Sequence, residues 1–571
     1  MNMNQENDFL KSQPPPLPPT AIKLPTPYQA KLPNGLALVI VEDDRLPLVS
    51  YRLSFRTGDA HDPKELPGLT DMMAALLNEG TESRSSLDIA NEVERLGATL
   101  HAGAGSDYTT VAASALSVFG DKILELMADV TLRPSFPENE VELAKQNTKE
   151  SLKQQRAQPS FLANEMVSRV MFGEHPYAVI APTPEAIDAT TRQHLVQFHR
   201  SVFVPNNAVF MVVGAVQAEE MHQQIEKLFG NWQPGAPLVD QFSAPPVRTA
   251  RVAYLIDRPG SAQSNIVIAN SGLNRTSADY FPSLLMHTVL GATASSRLFM
   301  NLREEKGYTY GAYTNLDARR GAGTLRATAE VRSAVTGDSL KEFFYELERI
   351  GAEPVSEKEI NDAKSYLTGV FPLRLETQEG LIDQLVQIKM MDLPEDHLET
   401  YRDRVQAVTV EQIQSVARKY VRAAEAALVI VGDGVEVLDQ IKPYCEDIRI
   451  FNTAGAPKEL AAPGNGATGM DTLAGAWALE IQTPFGQDIP ATLTLVEDQD
   501  GFTGKIESEM GAGQLADVIL DGKAFQATLS FEMEGHAVSA NIKGSAEGSR
   551  LEGSISLQNL QPLPFIGVRE G

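Results

Sequence analysis

The sequence predicts an α+β protein made of two duplicated α/β-roll domains, followed by a small all-β barrel or sandwich domain. Three observations support this fold class. Strand and helix patterns alternate over residues 25–452, two segments of that region repeat at an almost constant offset, and short alternating strands follow a linker rich in glycine, proline and alanine. The 571 residues, 43% of them apolar, suffice for several buried cores.

Residues 1–24 are predicted to form an extended tail. The segment KSQPPPLPPT within it is unsuited to a helix or an inner strand, because proline has no amide hydrogen to donate. Two roles stay open for this tail. We favour a plain spacer over a docking segment for a partner.

The first domain is placed at residues 25–235. It begins with apolar strands in LALVIVED and PLVSYRLSF. The next helix has one buried stripe, formed by Leu69, Met72, Met73, Leu76 and Leu77. A helix, two strands and two more helices follow in SLDIANEVERLG, ATLHAGA, TTVAASAL, DKILELMADV and ENEVELAKQNTKESLKQQ. Antiparallel strands with helices on one side predict an α+β layer.

Internal repetition places a second domain of the same kind at residues 245–452. Four helix residues have counterparts 219 positions later (360 − 141 = 219): Val141, Ala144, Lys145 and Leu152 correspond to Ile360, Ala363, Lys364 and Phe371. Residues 191–214 correspond to residues 409–432 at an offset of 218 (409 − 191 = 218), and both segments lead from a helix into an apolar strand ending in Val-Gly. Two long matches in the same order indicate a duplicated domain.

Residues 453–470 are predicted to be a linker and residues 471–571 a β-rich C-terminal domain. The linker, TAGAPKELAAPGNGATGM, is dominated by glycine, alanine and proline. Apolar and polar residues then alternate in about seven short runs, such as ATLTLVED and HAVSANIKG. We expect the domain to fold separately, with packed side chains inside rather than the alternative of an apolar ligand.

Composition excludes several classes of protein. The formal charge of −26 argues against nucleic acid or an anionic membrane as a partner, because both demand a basic surface. The single cysteine, Cys445, permits no internal disulfide, and the nine histidines lack a metal-binding spacing. No apolar run approaches the ~18 residues of a membrane span. No signal peptide is visible, so we expect a cytoplasmic location, or a periplasmic one if the natural chain begins elsewhere.

A second face of the helix in PGLTDMMAALLNEGT carries Asp71, Ala74, Ala75 and Asn78, which recur one turn apart and are therefore expected to converge on a common point. A zinc site needs three or four Cys, His or carboxylate ligands. This face offers at most one carboxylate, so the residues alone favour an ordinary core helix.

The segment SSRLFMNLREEKGYTYGAYT offers chemistry of its own. Arg303 lies near the end of a predicted helix, and Tyr310 follows a Lys-Gly turn at the start of a strand, so both side chains could face one cleft. A guanidinium and a phenol are suited to hold a peptide carbonyl and to stabilise an oxyanion. The alternative is that Arg303 pairs with Glu304 or Glu305 on a solvated face and that Tyr310 is a strand aromatic.

Several motifs resemble the pitrilysin (insulinase, mitochondrial processing peptidase) family of zinc peptidases over about residues 25–450. They are GLTDMMAALLNEGT, LHAGAGSDYTTVAASAL, GEHPYA and SSRLFMNLREEKGYTYGAYT. In that family the first helix carries H-x-x-E-H, whose histidines bind zinc and whose glutamate is the general base, and a later helix adds a glutamate ligand. The resemblance places these positions at Asp71, Ala74 and Ala75, with Glu150 as a remnant of the last ligand, or Ser151 if the register slips by one.

The resemblance implies a divided enzyme. The family's Arg and Tyr map onto Arg303 and Tyr310, and in some members one subunit carries zinc while the other holds the substrate with this pair. We therefore expect a zinc-free, peptidase-type subunit without a cofactor, inactive alone. Its expected partner is a homologous H-x-x-E-H subunit that carries the zinc, and its expected substrates are peptides or unfolded segments. The alternative is a non-enzymatic scaffold or peptide-binding protein derived from such a subunit.

Overall fold

The structure is a computed structural model. It describes residues 24–236, 240, 242–460, 473, 475–482, 488–498, 501–508, 511–521, 524–533, 536–547, 550–557 and 562–569. The predicted tail, apart from residue 24, and residues 461–470 of the predicted linker lie outside them. The chain divides into two compact units, Met1–Ala461 and Ala462–Gly571.

The first α/β domain contains a six-stranded sheet with helices packed on it. Its strands are β1 (Tyr28–Lys31), β2 (Ala37–Glu42), β3 (Leu48–Phe55), β4 (Thr99–Ala104), β5 (Thr109–Leu116) and β6 (Ala208–Gly214). Its helices are α1 (Leu69–Ala75), α2 (Ser86–Leu96), α3 (Gly120–Leu132), α4 (Glu138–Arg156), α5 (Pro159–Phe172), α6 (Pro184–Ala189), α7 (Arg192–Val202) and α8 (Ala218–Phe229). The strand order is β1-β2-β6-β3-β5-β4, with β2 and β6 parallel and the other neighbours antiparallel.

The second α/β domain repeats this layout. Its strands are β7 (Val252–Asp257), β8 (Gln263–Ser271), β9 (Thr309–Ala318), β10 (Gly323–Arg332), β11 (Ala427–Gly432) and β12 (Ile448–Phe451), in the order β12-β7-β11-β8-β10-β9. Its helices are α9 (Tyr280–His287), α10 (Arg297–Phe299), α11 (Thr336–Ala352), α12 (Glu357–Leu375), α13 (Gln378–Met390), α14 (His397–Ala407), α15 (Val410–Tyr420) and α16 (Gly434–Ile441). The predicted fold class is confirmed.

In each domain, one helix packs on the sheet of the other domain. Helix α5 packs on β8 and β11 of the second sheet, and α13 packs on β3 and β6 of the first. The two helices begin 219 residues apart (378 − 159 = 219), so the exchange is itself part of the repeat. The expectation of helices on one side only is therefore wrong, because the second face of each sheet is covered from the other domain.

Strand β6 shows how this exchange is encoded. All its residues are buried, and alternate residues face opposite sides of the sheet. Phe210 and Val212 pack with helices of their own domain, whereas Met211 and Val213 pack in the core shared with the second domain. An apolar run without alternation is what burial on both faces requires.

The described part of the predicted linker packs on the second domain. Lys458 Nζ lies 2.5 Å from a carboxylate oxygen of Asp257, which is 4% exposed, and Leu460 packs against the core beside Gly434. Phe451 forms an isolated β-bridge with Pro457. Lys458 and Leu460 contact residues that are distant in the sequence, so the composition of the linker does not predict this packing. The predicted domain boundaries stay predictions.

The C-terminal unit is a closed antiparallel barrel with eight strands among the described residues, rather than about seven. They are β13 (Gly475–Gln482), β14 (Asp488–Asp498), β15 (Gly501–Ser508), β16 (Gly511–Asp521), β17 (Ala524–Met533), β18 (His536–Glu547), β19 (Arg550–Leu557) and β20 (Leu563–Arg569). A bulge interrupts the alternation of β16 between Ala516 and Ile519, so apolar and polar residues do not alternate along its whole length.

Apolar side chains from the strands pack together inside this barrel. Two glycines make room for large rings: a Cβ at Gly544 would lie 2.6 Å from the ring of Phe525, and one at Gly553 would lie 2.4 Å from the ring of Phe565. Such small and large neighbours are how a small barrel fills its own interior.

Among the described residues, no helix is both long and apolar enough to cross a membrane.

Candidate functional site

The start of helix α1 is hydrogen-bonded, and its apolar stripe is buried as its sequence predicts. Gly68 precedes it with φ of 85°, and the Asp62 carboxylate accepts hydrogen bonds from the amides of Gly68 (2.7 Å) and Thr70 (2.9 Å). These bonds satisfy amides that a helix start leaves unpaired. The predicted apolar stripe is buried: Leu69, Met72, Met73, Leu76 and Leu77 are each at most 7% exposed.

The second face of this helix does not converge on one point. Asp71 and Ala75 line a groove of about 490 Å³, but Ala74 is 1% exposed and lies in the core. The Asn78 amide donates to the carbonyl of Leu100 at 3.0 Å. The expected convergence of four residues is wrong, since the chain changes to a 3₁₀ turn over Leu76–Asn78 and rotates Asn78 away.

The remnant ligand at Glu150 is also absent from this groove. Its carboxylate is 66% exposed and pairs with Lys153 Nζ at 2.6 Å. The α4 residues in the lining include Thr148 and Ser151. The groove therefore contains Ser151, the position that corresponds to the last ligand if the register slips by one. Asp71 is the sole carboxylate in the lining, and one carboxylate with a hydroxyl does not suit zinc. Over all described residues, no three His, Cys, Asp or Glu side chains lie close enough to hold a metal ion.

We expect the isolated protein to bind no stoichiometric zinc and to cleave no peptides. Asp71, Ala74 and Ala75 leave too few ligands and no general base. Metal analysis of protein purified without a chelator measures this directly. One zinc per chain, lost on Glu150→Ala, would show that a metal site exists after all.

The Arg/Tyr segment is helical, as expected, but most of its helix is π-helical. Helix α10 continues into a π-helix over Met300–Glu305, and Gly307 turns the chain with φ of 66°. The side chain of Arg303 is 46% exposed. Its guanidinium lies 4.7 Å from the ring centroid of Phe299, and its Nε lies 3.6 Å from Glu304. Such π segments occur frequently at functional sites.

A β-bulge turns Tyr310 outward. Thr309 pairs with Val331 and Ala312 with Ala329, so three steps along β9 match two along β10. Without the bulge, Tyr310 would share the inward face of Ala312. Instead the side chain is 89% exposed, as is typical of a bulge that redirects a residue.

A polar groove of about 430 Å³ lies beside Tyr310. Its lining comes from β8, β9, β10 and the exchanged helix α5, and includes Tyr310, Gly311, Tyr313, Asn265 and Glu330. The Tyr313 ring lies over Gly311, because a Cβ there would be 2.5 Å from a ring carbon. This glycine lets the two tyrosines share one wall of the groove.

Arg303 does not line this groove. It reaches the groove wall only indirectly, since the Phe299 ring under its guanidinium lies 5.5 Å from the Tyr313 ring. Tyr310 and Arg303 therefore flank one aromatic cluster rather than both pointing into one cavity.

An ion pair fixes the start of this segment, and neither partner is predicted from the sequence. Arg297 donates from Nε (2.6 Å) and Nη2 (3.1 Å) to the two oxygens of Glu359. The Arg297 side chain is 6% exposed. Burial would raise the pKa of Glu359, but hydrogen bonds from Arg297 and Ser356 outweigh it and lower the pKa to about 2. Through this ion pair, α12 fixes the position of α10, which leads into the segment that carries Arg303.

The GEHPYA segment joins the two domains. Tyr177 hydrogen-bonds to Asp107 in the β4–β5 turn, and the amide of Gly321 in the β9–β10 turn donates to the Tyr177 hydroxyl at 3.2 Å. The Asp107 carboxylate also accepts from the amide of Arg320 at 3.1 Å. Two equivalent hairpin turns thus meet around a buried tyrosine, which aligns β9 with the first domain.

Two family models match the chain. Residues 38–184 match the insulinase (peptidase family M16) model, and residues 189–367 match the model described as the peptidase M16 inactive domain.

The matches to curated relatives span most of each relative's length. The uncharacterized zinc protease YmxG of Bacillus subtilis is 23% identical over 68% of this chain and 93% of the relative. A Helicobacter pylori protein named non-peptidase homolog YmxG is 22% identical over 71% of this chain and 93% of its own.

Solved structures share the fold of the duplicated region. A peptidase M16 inactive domain from Pseudomonas fluorescens superposes with a TM-score of 0.67 at 25% identity, over 71% of this chain and 98% of that one. A Helicobacter pylori protease gives the same TM-score at 18% identity, over 72% and 100% of the chains.

Proposed function

The chain belongs to the insulinase (M16) peptidase family, and from this membership we propose that it is the zinc-free subunit of a heterodimeric metallopeptidase. H-x-x-E-H occurs nowhere in its sequence. In this proposal a homologous partner carries that motif and the zinc, and the pair cleaves peptides or unfolded segments small enough to enter the chamber between the subunits.

The observation that carries the proposal is the exposure of Tyr310. A bulge and a glycine present its phenol, 89% exposed, beside a polar groove. Burial of a large aromatic ring stabilises a fold, so the exposed Tyr310 ring contributes little to the stability of this one. A side chain held in that position suits the binding of something outside the chain.

The roles of the two residues follow from their chemistry. The Tyr310 hydroxyl donates a hydrogen bond to a substrate carbonyl, and the same bond strengthens as negative charge develops on that oxygen. The Arg303 fork offers further donors to the same peptide segment. The partner's zinc would supply the hydrolytic chemistry.

One observation favours the alternative function, a peptide-binding protein without catalysis. Arg303 stacks on Phe299, lies near Glu304 and does not line the groove, which suits a peptide-binding protein without catalysis. This alternative is a scaffold derived from such a subunit. A neighbouring reading frame that encodes an H-x-x-E-H homologue would favour the peptidase subunit over the scaffold.

Reconstitution tests the proposal. We expect neither chain alone to cleave an unstructured peptide, and a 1:1 mixture with the H-x-x-E-H homologue to do so. Sedimentation measures the assembly and a fluorogenic peptide measures the turnover. A homologue that reaches full activity alone would contradict the proposal.

A further inference from the structure

A pocket of about 520 Å³ lies in the second domain, between the β8–α9 connection and helices α14 and α15. Arg275, a half-buried residue of its lining, has its guanidinium carbon 3.7 Å from the ring centroid of Tyr280. The chain has 75 acidic residues against 49 basic ones, yet no carboxylate of the described residues pairs with this guanidinium. Burial of a cation without a counter-ion costs free energy, so the pocket favours an anion from outside the chain.

The neighbouring histidine does not balance the charge of Arg275. Nη2 of Arg275 lies 3.4 Å from Nε2 of His397, which is 4% exposed. Burial, together with the charges of Arg275 and Arg404, lowers the pKa of His397 to about 4. The imidazole is therefore neutral at neutral pH, and its Nε2 accepts a hydrogen bond from the guanidinium. Within the described part of the chain, nothing accepts from Nε or Nη1 of Arg275, so these donors are left for a ligand.

Two further charged residues line the pocket, and both are paired. Asp392 lies 2.6 Å from Arg56 and 3.1 Å from Arg320, so two cations offset its charge. Arg404 Nη2 lies 3.3 Å from Asp396, whose side chain is 52% exposed. An ion pair so open to water is weak. An anion in the pocket therefore meets one unpaired guanidinium and a second that is held by one weak contact.

The start of α9 favours a carboxylate over a phosphate. Phosphates are commonly bound by free amides at a helix start. Here the amide of Tyr280 donates to the carbonyl of Ser277 at 3.0 Å, and Pro282 has no amide hydrogen. The guanidinium forks are thus the main donors, and a planar carboxylate matches a fork with two parallel hydrogen bonds. Leu393 and Val408 add apolar surface for a carbon chain.

We propose that this pocket binds a small aliphatic dicarboxylate, with one carboxylate on Arg275 and the other on Arg404. Charge-assisted, bidentate hydrogen bonds are the strong ones that a guanidinium forms. The second carboxylate replaces Asp396 as the partner of Arg404, so Asp396 competes with the ligand. The volume of about 520 Å³ falls in the range of ~300–1,000 Å³ that is usual for ligand sites. This site is independent of Tyr310, of a zinc-bearing partner and of peptide cleavage.

Isothermal titration calorimetry of the full chain alone tests the site with probes of equal carbon number. Adipate carries a carboxylate at each end, hexanoate carries one, and 1,6-diaminohexane carries two ammonium groups. We expect adipate to bind one per chain, hexanoate and inorganic phosphate to bind about tenfold or more weakly, and the diamine not to bind. Absent adipate binding, or equal affinities for adipate and hexanoate, would overturn the dicarboxylate site. Phosphate that binds more tightly than adipate would also overturn it.

Variants locate the binding. Arg275→Met keeps a side chain that can lie on Tyr280 but removes the charge, and should weaken adipate binding about tenfold or more. Asp396→Asn removes the competitor and should strengthen the binding, which a misfolded chain would not do. Arg95→Met, an exposed change on α2 outside the pocket with the same loss of charge, is the control and should bind adipate as the wild type does.

A thermal melt of each variant accompanies the titrations. Wild-type affinity in both Arg275→Met and Asp396→Asn would show that adipate binds elsewhere and would overturn the proposal. If Arg275→Met does not fold, Asp396→Asn decides alone: tighter adipate binding supports the site, and unchanged or weaker binding overturns it.

Discussion

In the reconstituted pair, Tyr310→Phe should lower kcat by at least an order of magnitude and leave thermal stability nearly unchanged. Removal of one donor to a developing oxyanion typically costs ~10²- to 10³-fold in turnover. Stability should hold because the Tyr310 side chain is 89% exposed. Steady-state kinetics with an unstructured peptide, together with a thermal melt of each variant, measures both quantities.

Arg303→Ala should act on the same step. Its effect combined with Tyr310→Phe should be less than proportional, because both donors hold one substrate segment. Tyr366→Phe is the matched control, since Tyr366 is a 46% exposed tyrosine on α12 outside the groove. If both site variants retain wild-type turnover in the assembled pair, the Arg/Tyr assignment fails and the scaffold becomes the better explanation.

Arg297→Ala should destabilise the duplicated region by about 2 kcal/mol, because it removes two charge-assisted hydrogen bonds between a buried guanidinium and a partly exposed carboxylate. The Arg297 side chain is 6% exposed and binds Glu359 through two hydrogen bonds. Urea unfolding of the full chain, followed by a probe in that region, measures the loss. Lys358→Ala is the control, because Lys358 is 85% exposed in its pair with Asp362.

The same ion pair predicts a dependence on pH. The pKa of Glu359 is about 2 in the folded chain and ~4.3 in an unfolded one. A lowered pKa contributes stability that is fully present above the unfolded value and is lost as pH falls from about 4.3 towards 2. The wild type should therefore lose more stability than Arg297→Ala between pH 5 and pH 3. Equal losses in the two proteins would contradict the role of this pair.

The fold was largely predictable because apolar periodicity survives in both halves. The offsets of 219 and 218 locate α12 and β11 from α4 and β6, which is how the second domain is found. The exchange of α5 and α13 was not predictable. An amphipathic helix shows that it buries a face, but its sequence does not tell which sheet it covers.

The candidate site was predictable only in part. Glu150 could have been set aside, because Ser151, not Glu150, recurs at helical spacing with Ala144, Thr148 and Gln155, which line the groove. Gly311 within a strand is a recognised sign of a bulge. Contacts between residues that are distant in the sequence could not be predicted from the residues around either partner. Arg297 and Glu359 are 62 positions apart, and Asn265 and Glu330 are 65 apart.

Photo-crosslinking of a trapped substrate tests most directly whether this chain holds the peptide. The partner would carry Gln in place of the Glu of H-x-x-E-H, so that the peptide stays intact, and the peptide would carry benzoylphenylalanine near its cleavage site. We expect crosslinks, mapped by mass spectrometry, on residues 309–313 and 328–330 of this chain. Crosslinks confined to the partner, in a pair that assembles and binds the peptide, would contradict the account.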